Sequence, residues 1–225
     1  LTGAFPSFIN LSSLQTLYAA RLTRAYLGAS NGHRSGASSR AKDKSAAEPV
    51  RHDDVELTDF VDAETKRPSS LAPFHLINVT LNSTVDPAEQ LVQRDRKGLP
   101  MAVSPTGYWI DGDHYAFQDE ASNDISETPS VGQWVSTSGA AVSTGLGRRT
   151  SLGLSLLLGA ANVRLGTWWS CSDASKPSVA VSRISKVGRT LFRTQSYLAD
   201  ELRAKFYGLR RDWQYRSDGG HFENN

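Results

Sequence analysis

The run Phe74-His75-Leu76-Ile77-Asn78-Val79-Thr80-Leu81-Asn82 constrains this chain more than any other stretch. β-Branched and large apolar residues fill it almost without interruption, so it reads as a strand with near-continuous burial, one that belongs in the middle of a sheet. The rest of the chain must supply its neighbours. Met101-Ala102-Val103 and Gly107-Tyr108-Trp109-Ile110 lead into Asp111-Gly112-Asp113 and Tyr115-Ala116-Phe117, the pattern of a β-hairpin with an Asp-Gly turn. Near the end, Trp213-Gln214-Tyr215 opens a second apolar run that closes on Ser217-Asp218-Gly219-Gly220, which reads as a strand stopping on an aspartate.

The helical signals lie on either side of these strands. Ser12 can cap a helix starting near Ser13, with Leu14, Leu17, Tyr18, Leu22, Ala25 and Tyr26 on one apolar face and Gly28 as its stop. Thr128-Pro129-Ser130 is a helix entry. It leads through Val131–Val135 into the small-residue run Ser136 to Ser143, which suits either a tight helix crossing or close approach to a ligand. Ser151 caps an apolar helix from Leu152 to about Val163, whose hydrophobicity nearly all round predicts full burial or a greasy wall of a site. A last helix, near Thr190 to Phe206, carries Leu191, Phe192, Gln195, Leu198, Leu202 and Phe206 along one face, and Gly208 ends it.

Residues 31–70 are polar and lack a sustained period, so they read as a surface excursion containing one short strand at Val55–Phe60. His52, Asp53 and Asp54 carry metal-capable groups, but adjacent side chains do not converge unaided, and a solvated loop is expected. Asp111, Asp113 and His114 offer too few ligands for a calcium loop and are read as the hairpin turn. No metal and no cofactor is expected.

Length and charge bound the function. At 225 residues one domain is the simplest division, and 25 Lys and Arg against 23 Asp and Glu give a formal charge of +2, which does not argue for a nucleic-acid partner, and none is expected. The single cysteine, Cys171, excludes an internal disulfide and reads as structural. No signal peptide is visible, and a chain opening on Leu1 is expected to have been trimmed from a longer parent. The most apolar window, Leu152 to Trp169, is too short and too interrupted for a bilayer span. Asn78-Val79-Thr80 and Asn82-Ser83-Thr84 match the N-glycosylation pattern and are taken as chance matches, and Arg94 to Gly98 is a solvated charged loop. A basic face from Lys176 to Arg193 could meet anionic headgroups, and Trp168-Trp169 suits a lipid interface or a core or lid position.

One stretch has the form of a serine-hydrolase elbow, Gly28-Ala29-Ser30-Asn31-Gly32. An elbow needs a buried strand before the serine and a helix after it, whereas here a helix precedes and a polar loop follows. Asp218 is either an ordinary Asp-Gly turn or a carboxylate projected into a cleft at a strand end.

Three stretches together resemble the patatin-like phospholipase superfamily, in particular its large, often membrane-associated bacterial members. They are Asn10 to Tyr18 with Arg21 to Asn31, then His75 to Thr80, and Ser217 to Asn224. The resemblance implies a three-layer α/β patatin-like fold, of which residues 1–225 are the C-terminal portion, and hydrolysis of lipid or other acyl esters by a serine/aspartate pair. It assigns the catalytic aspartate to Asp218. A Ser/Ala-rich turn lining the site falls on Ser136 to Ala141, so Ser138, Gly139, Ala140, Gly219 and Gly220 become candidate pocket residues. Val142 stands where the family has proline. The glycine-rich oxyanion loop and the elbow have no counterpart, so the chain is expected to be inactive without an upstream segment of its parent. The expected setting is the cytoplasm or the cytoplasmic face of a membrane, and the alternative reading is a non-catalytic membrane- or protein-binding module.

Overall fold

The computed structural model of the chain describes residues 7–32, 50–62, 65, 67–68, 73–85, 97–117, 128–170 and 192–223. Six strands, β1 (Ile77–Asn82), β2 (Gly98–Ser104), β3 (Gly107–Ile110), β4 (Asp113–Tyr115), β5 (Thr167–Ser170) and β6 (Trp213–Asp218), form one sheet in the order β4-β3-β2-β1-β6-β5. β1 is interior as expected and Val79 to Asn82 are buried, but the strand begins at Ile77 rather than Phe74, and Phe74, Leu76 and Asn78 are exposed. Asp111 and Gly112 sit at φ 51° and 96°, the left-handed pair that a tight hairpin turn demands. Every ladder between these strands is antiparallel.

The register sorts side chains onto two faces. Val79 lies opposite Asp218, Leu81 opposite Arg216, and Arg216 opposite Thr167, so these share one face with Trp169, while Thr80, Asn82, Tyr215, Ser217 and Trp168 share the other. On the first face Val79, Leu81, Met101, Val103, Ile110 and Trp169 form a core with Trp134 of α3 (Val131–Ser138). The two indoles meet edge to face at 5.2 Å. On the second face Trp168 and Tyr215 pack with Tyr197 of α5 (Arg193–Leu202), Phe206, and Ile9 of α1 (Ser7–Leu11). α4 (Leu152–Ala160) joins this side by laying Gly159 against Leu202. Helices therefore cover both faces of the sheet, and the molecule is a mixed helix-and-sheet fold.

The helices bury different residues from those the sequence pattern singles out. In α2 (Gln15–Leu22) the buried residue is Gln15, and Thr23 is buried just after it, while Leu14, Leu17 and Tyr26 are exposed. Contact with α3 explains the inversion. The Gln15 amide donates to Ser136 Oγ at 2.9 Å, and Gly132, lacking a Cβ, lets Thr23 approach its backbone. Residues Leu57–Phe60 are a 3-10 turn rather than a strand, because Glu56 and Asp59 close a reciprocal capping box around it. Of this segment His52 and Asp54 are exposed as expected, but Asp53 is buried and accepts from Asn31 Nδ2 and Val50 N–H, and Asp54 takes the Ser130 hydroxyl (2.7 Å) and Gly132 N–H (2.9 Å), tying the segment to the start of α3.

Two further corrections concern apolar surface. α4 is capped by Ser151 as expected, but Ser155 is its one buried residue and Leu152, Leu156 and Leu157 face outward. Trp168 and Trp169 are core residues of β5, at 4% and 8% exposure, so neither is free to meet lipid. α5 stops at Leu202, short of Gly208, which adopts φ 52° at the entry to a following 3-10 turn. Cys171 and most of the basic stretch from Lys176 to Arg193 lie outside the described residues, as do Arg94 to Arg96, residues 33–49 and Asn224. Among the described residues no helix is long and apolar enough to cross a membrane.

Candidate functional site

β6 ends on Asp218, as the sequence suggests, because the next two residues reverse the chain. Asp218 Oδ1 accepts the Gly220 N–H at 2.8 Å, a side-chain-closed turn that leads into the short helix α6 (Gly220–Glu223). Gly219 is required here by contact: a Cβ would stand 2.7 Å from the Asn78 carbonyl oxygen. Thr80 Oγ1 donates to the Asp218 carbonyl at 2.8 Å and fixes the strand end against β1. The carboxylate is half-exposed, and its Oδ2 has no hydrogen-bond partner among the described residues.

The small-residue turn arrives at the same place from the other direction. α3 is started by Ser130, whose hydroxyl accepts from Gln133 N–H while Gln133 reaches back to the Ser130 N–H. It ends at Ser138, whose hydroxyl donates to the Asn78 carbonyl at 2.7 Å, the same oxygen that Gly219 crowds. Ala141, just beyond, accepts His221 Nε2 at 3.2 Å. Two stretches 80 residues apart are thereby joined directly, and both close on the first residues of β1.

His221 holds the joint together. Its Nδ1 is 2.9 Å from Ser217 Oγ, and Ser217 Oγ in turn accepts from Asn82 Nδ2 at 2.9 Å. A neutral ring protonated on Nε2 satisfies all of these bonds in one direction: Asn82 to Ser217, Ser217 to Nδ1, Nε2–H to Ala141. Burial lowers the imidazole pKa below its ordinary 6.5, although the nearby Asp218 charge opposes that shift. Ser217 is completely buried, so this serine–histidine contact is a structural link and offers no nucleophile to a substrate.

Of the expected pocket residues, Ser138 and Gly219 meet at Asn78, and Gly220 holds the Asp218 carboxylate. Gly139 is exposed and receives the Tyr18 hydroxyl on its carbonyl at 3.0 Å, while Ala140 is wholly buried and packs inward. Asn78 and His221 are the residues that sequence reasoning missed. His221 follows the Asp-Gly-Gly run directly, and that position was its available signal. Asn78 carries none, since its backbone carbonyl does the work.

Other regions compete for attention. A hollow of about 190 Å³ beside Gly219 is lined by Asn78, Met101, Trp109 and Phe222, smaller than the few hundred Å³ usual for ligand pockets. A larger cleft of about 860 Å³ lies over α3 and the β5–β6 edge, lined by Gln15, Trp134, Thr137, Trp169 and Arg216, and it contains neither Asp218 nor residues 138–140. The cleft is also lined by Arg51, His52, Asp53, Asp54, Glu56 and Asp59, while Arg216 beneath it is completely buried and committed to the Trp169 carbonyl (2.8 Å) and its indole face. Gly28-Ala29-Ser30 is a 3-10 turn continuing out of a helix, so the strand-to-helix geometry of an elbow is not formed there. Among the described residues no group of His, Cys, Asp and Glu side chains is arranged to hold a metal. No protein-family model, curated protein or solved structure matches the chain.

Proposed function

We propose that this chain supplies the aspartate half of a serine/aspartate lipid acyl hydrolase of patatin-like, three-layer architecture, with Asp218 as the general base. The observation that carries the reading is the junction of residues 138–141 with residues 218–221 at Asn78 and His221, which gathers the expected site elements around a half-exposed carboxylate. Helices on both faces of the sheet support the three-layer part of the reading. In such chemistry the aspartate removes the proton of a serine hydroxyl as it attacks the ester carbonyl, and backbone N–H groups hold the developing oxyanion. Asp218 has a free oxygen for that proton, and the Gly220 N–H fixes its other oxygen so that the free one keeps a constant direction.

The serine and the oxyanion hole belong, in this proposal, to an upstream segment of the same parent, and the chain alone is inactive. Its setting is the cytoplasm or the cytoplasmic face of a membrane, where the acyl ester substrate resides. Joining the chain to a parent segment that contains a strand followed by G-x-S-x-G should restore hydrolysis of a short-chain nitrophenyl ester. A joined protein that folds and still fails to hydrolyse acyl esters would count against the reading.

A further inference from the structure

We infer that the outer face of α4, together with Arg148 and Arg149 at its entrance, is a docking surface for an anionic lipid bilayer. Leu152, Leu156 and Leu157 are 55%, 47% and 65% exposed, and their spacing sets them along one side of the helix. Three adjacent exposed leucines on a nine-residue helix are a costly surface in water unless something covers them.

Charge identifies the cover. Arg148 and Arg149 are both exposed in the 3-10 turn that leads into the helix, and Lys97 Nζ donates to the Thr150 carbonyl at 2.8 Å, bringing a third cation to the same end. Between Thr128 and Ser172 the sequence contains no Asp or Glu, so this helix and the turns flanking it carry no carboxylate of their own to neutralise those cations. An apolar face bordered by arginines that form no ion pair among the described residues matches acyl chains beneath phosphate headgroups. A second copy of the chain would bring like arginines together at the contact, and a purely apolar partner would leave them without a counter-charge.

The surface also adjoins the candidate site. The turn holding Arg148 and Arg149 packs through Gly147 onto the His221 backbone, and Arg149 is near enough to act on the His221 imidazole. A bilayer against α4 would thus lie beside the Asp218 turn. The docking argument rests on α4 and its arginines alone and does not require Asp218 to be a base.

Vesicle co-sedimentation of the 225-residue chain tests it, using phosphatidylcholine vesicles with and without phosphatidylglycerol. The chain should pellet with the anionic vesicles at low salt and remain in solution with pure phosphatidylcholine. L152Q/L156Q/L157Q and R148E/R149E should each weaken vesicle binding at least ~10-fold, with unchanged circular dichroism. Because three changes in one helix can unfold it, Leu157→Gln alone is the second variant, with binding about threefold weaker. A native chain that stays in solution with anionic vesicles, or a folded leucine variant that binds as the native chain does, overturns the proposal. So does a native dimer, seen by light scattering, that the leucine variant converts to monomer while no vesicles are bound.

Discussion

Two carboxylates beside β6 have opposite fates, and the contrast separates structure from chemistry in this molecule. Glu201 of α5 is 1% exposed, and both its oxygens are used: Thr144 Oγ1 donates to one at 2.9 Å, Trp168 Nε1 to the other at 2.9 Å, and Arg164 lies 3.4 Å away. Burial raises its pKa, with Arg164 the largest opposing influence. The Tyr215 hydroxyl shares Thr144 Oγ1 at 2.9 Å, and its pKa is also driven upward by burial. Asp218, at the tip of β6, is half-exposed with one oxygen held and one free. A fully satisfied buried carboxylate stabilises a fold, while a partly held one at a strand end is able to accept a proton.

The contrast breaks most severely at Glu201. Glu201→Leu leaves Arg164 buried without its counter-charge and strands Trp168 Nε1, so urea denaturation should show a loss of about 3–5 kcal/mol. A loss below about 1 kcal/mol would show that the network contributes little. Gly219→Ala comes next. Its methyl would meet the Asn78 carbonyl, and relief requires the Asp218 turn to move, at a cost of about 1–3 kcal/mol measured the same way.

His221→Ala removes the Ser217 and Ala141 hydrogen bonds for about 1 kcal/mol near neutral pH. It should also alter the pH dependence. Because the folded imidazole pKa is lowered, the unfolded chain binds the proton first, and native stability falls as pH drops below the unfolded value of 6.5. The difference between native and His221→Ala stabilities should therefore shrink on going from neutral pH toward acid. Glu201 works in the reverse sense, its raised pKa favouring the fold at low pH, and it cancels in that difference. The smallest expected effect is at Asp218. Asp218→Asn keeps an oxygen for the Gly220 N–H and should change stability by less than ~0.5 kcal/mol. A large loss there would place Asp218 in the same class as Glu201.

The sheet was legible where residues speak locally. The β-branched and apolar residues of β1 from Ile77 onward, the Asp-Gly turn between β3 and β4, and the Ser130 and Ser151 caps all follow from near-neighbour chemistry. Strand order and direction were not, because pairing β6 against β1 depends on contacts more than a hundred residues apart. Helix faces misled for a definable reason: α2 meets α3 through Gln15, Thr23 and Gly132, so close approach of small and polar groups overrode the apolar stripe. α4 misled in the other direction, its hydrophobicity suggesting burial although its leucines point outward. For the site, the aspartate and its two glycines could be read directly. The backbone carbonyls of Asn78 and Ala141 that join them to α3 leave no trace in side-chain identity.

The most direct test of Asp218 as a base is steady-state ester hydrolysis by the chain joined to the proposed upstream elbow segment, comparing Asp218 with Asp218→Asn and checking that melting temperatures agree. A catalytic base predicts that kcat falls by roughly 10²–10⁴-fold while KM changes little. Turnover by a folded Asp218→Asn protein within a few-fold of the native rate would contradict the account.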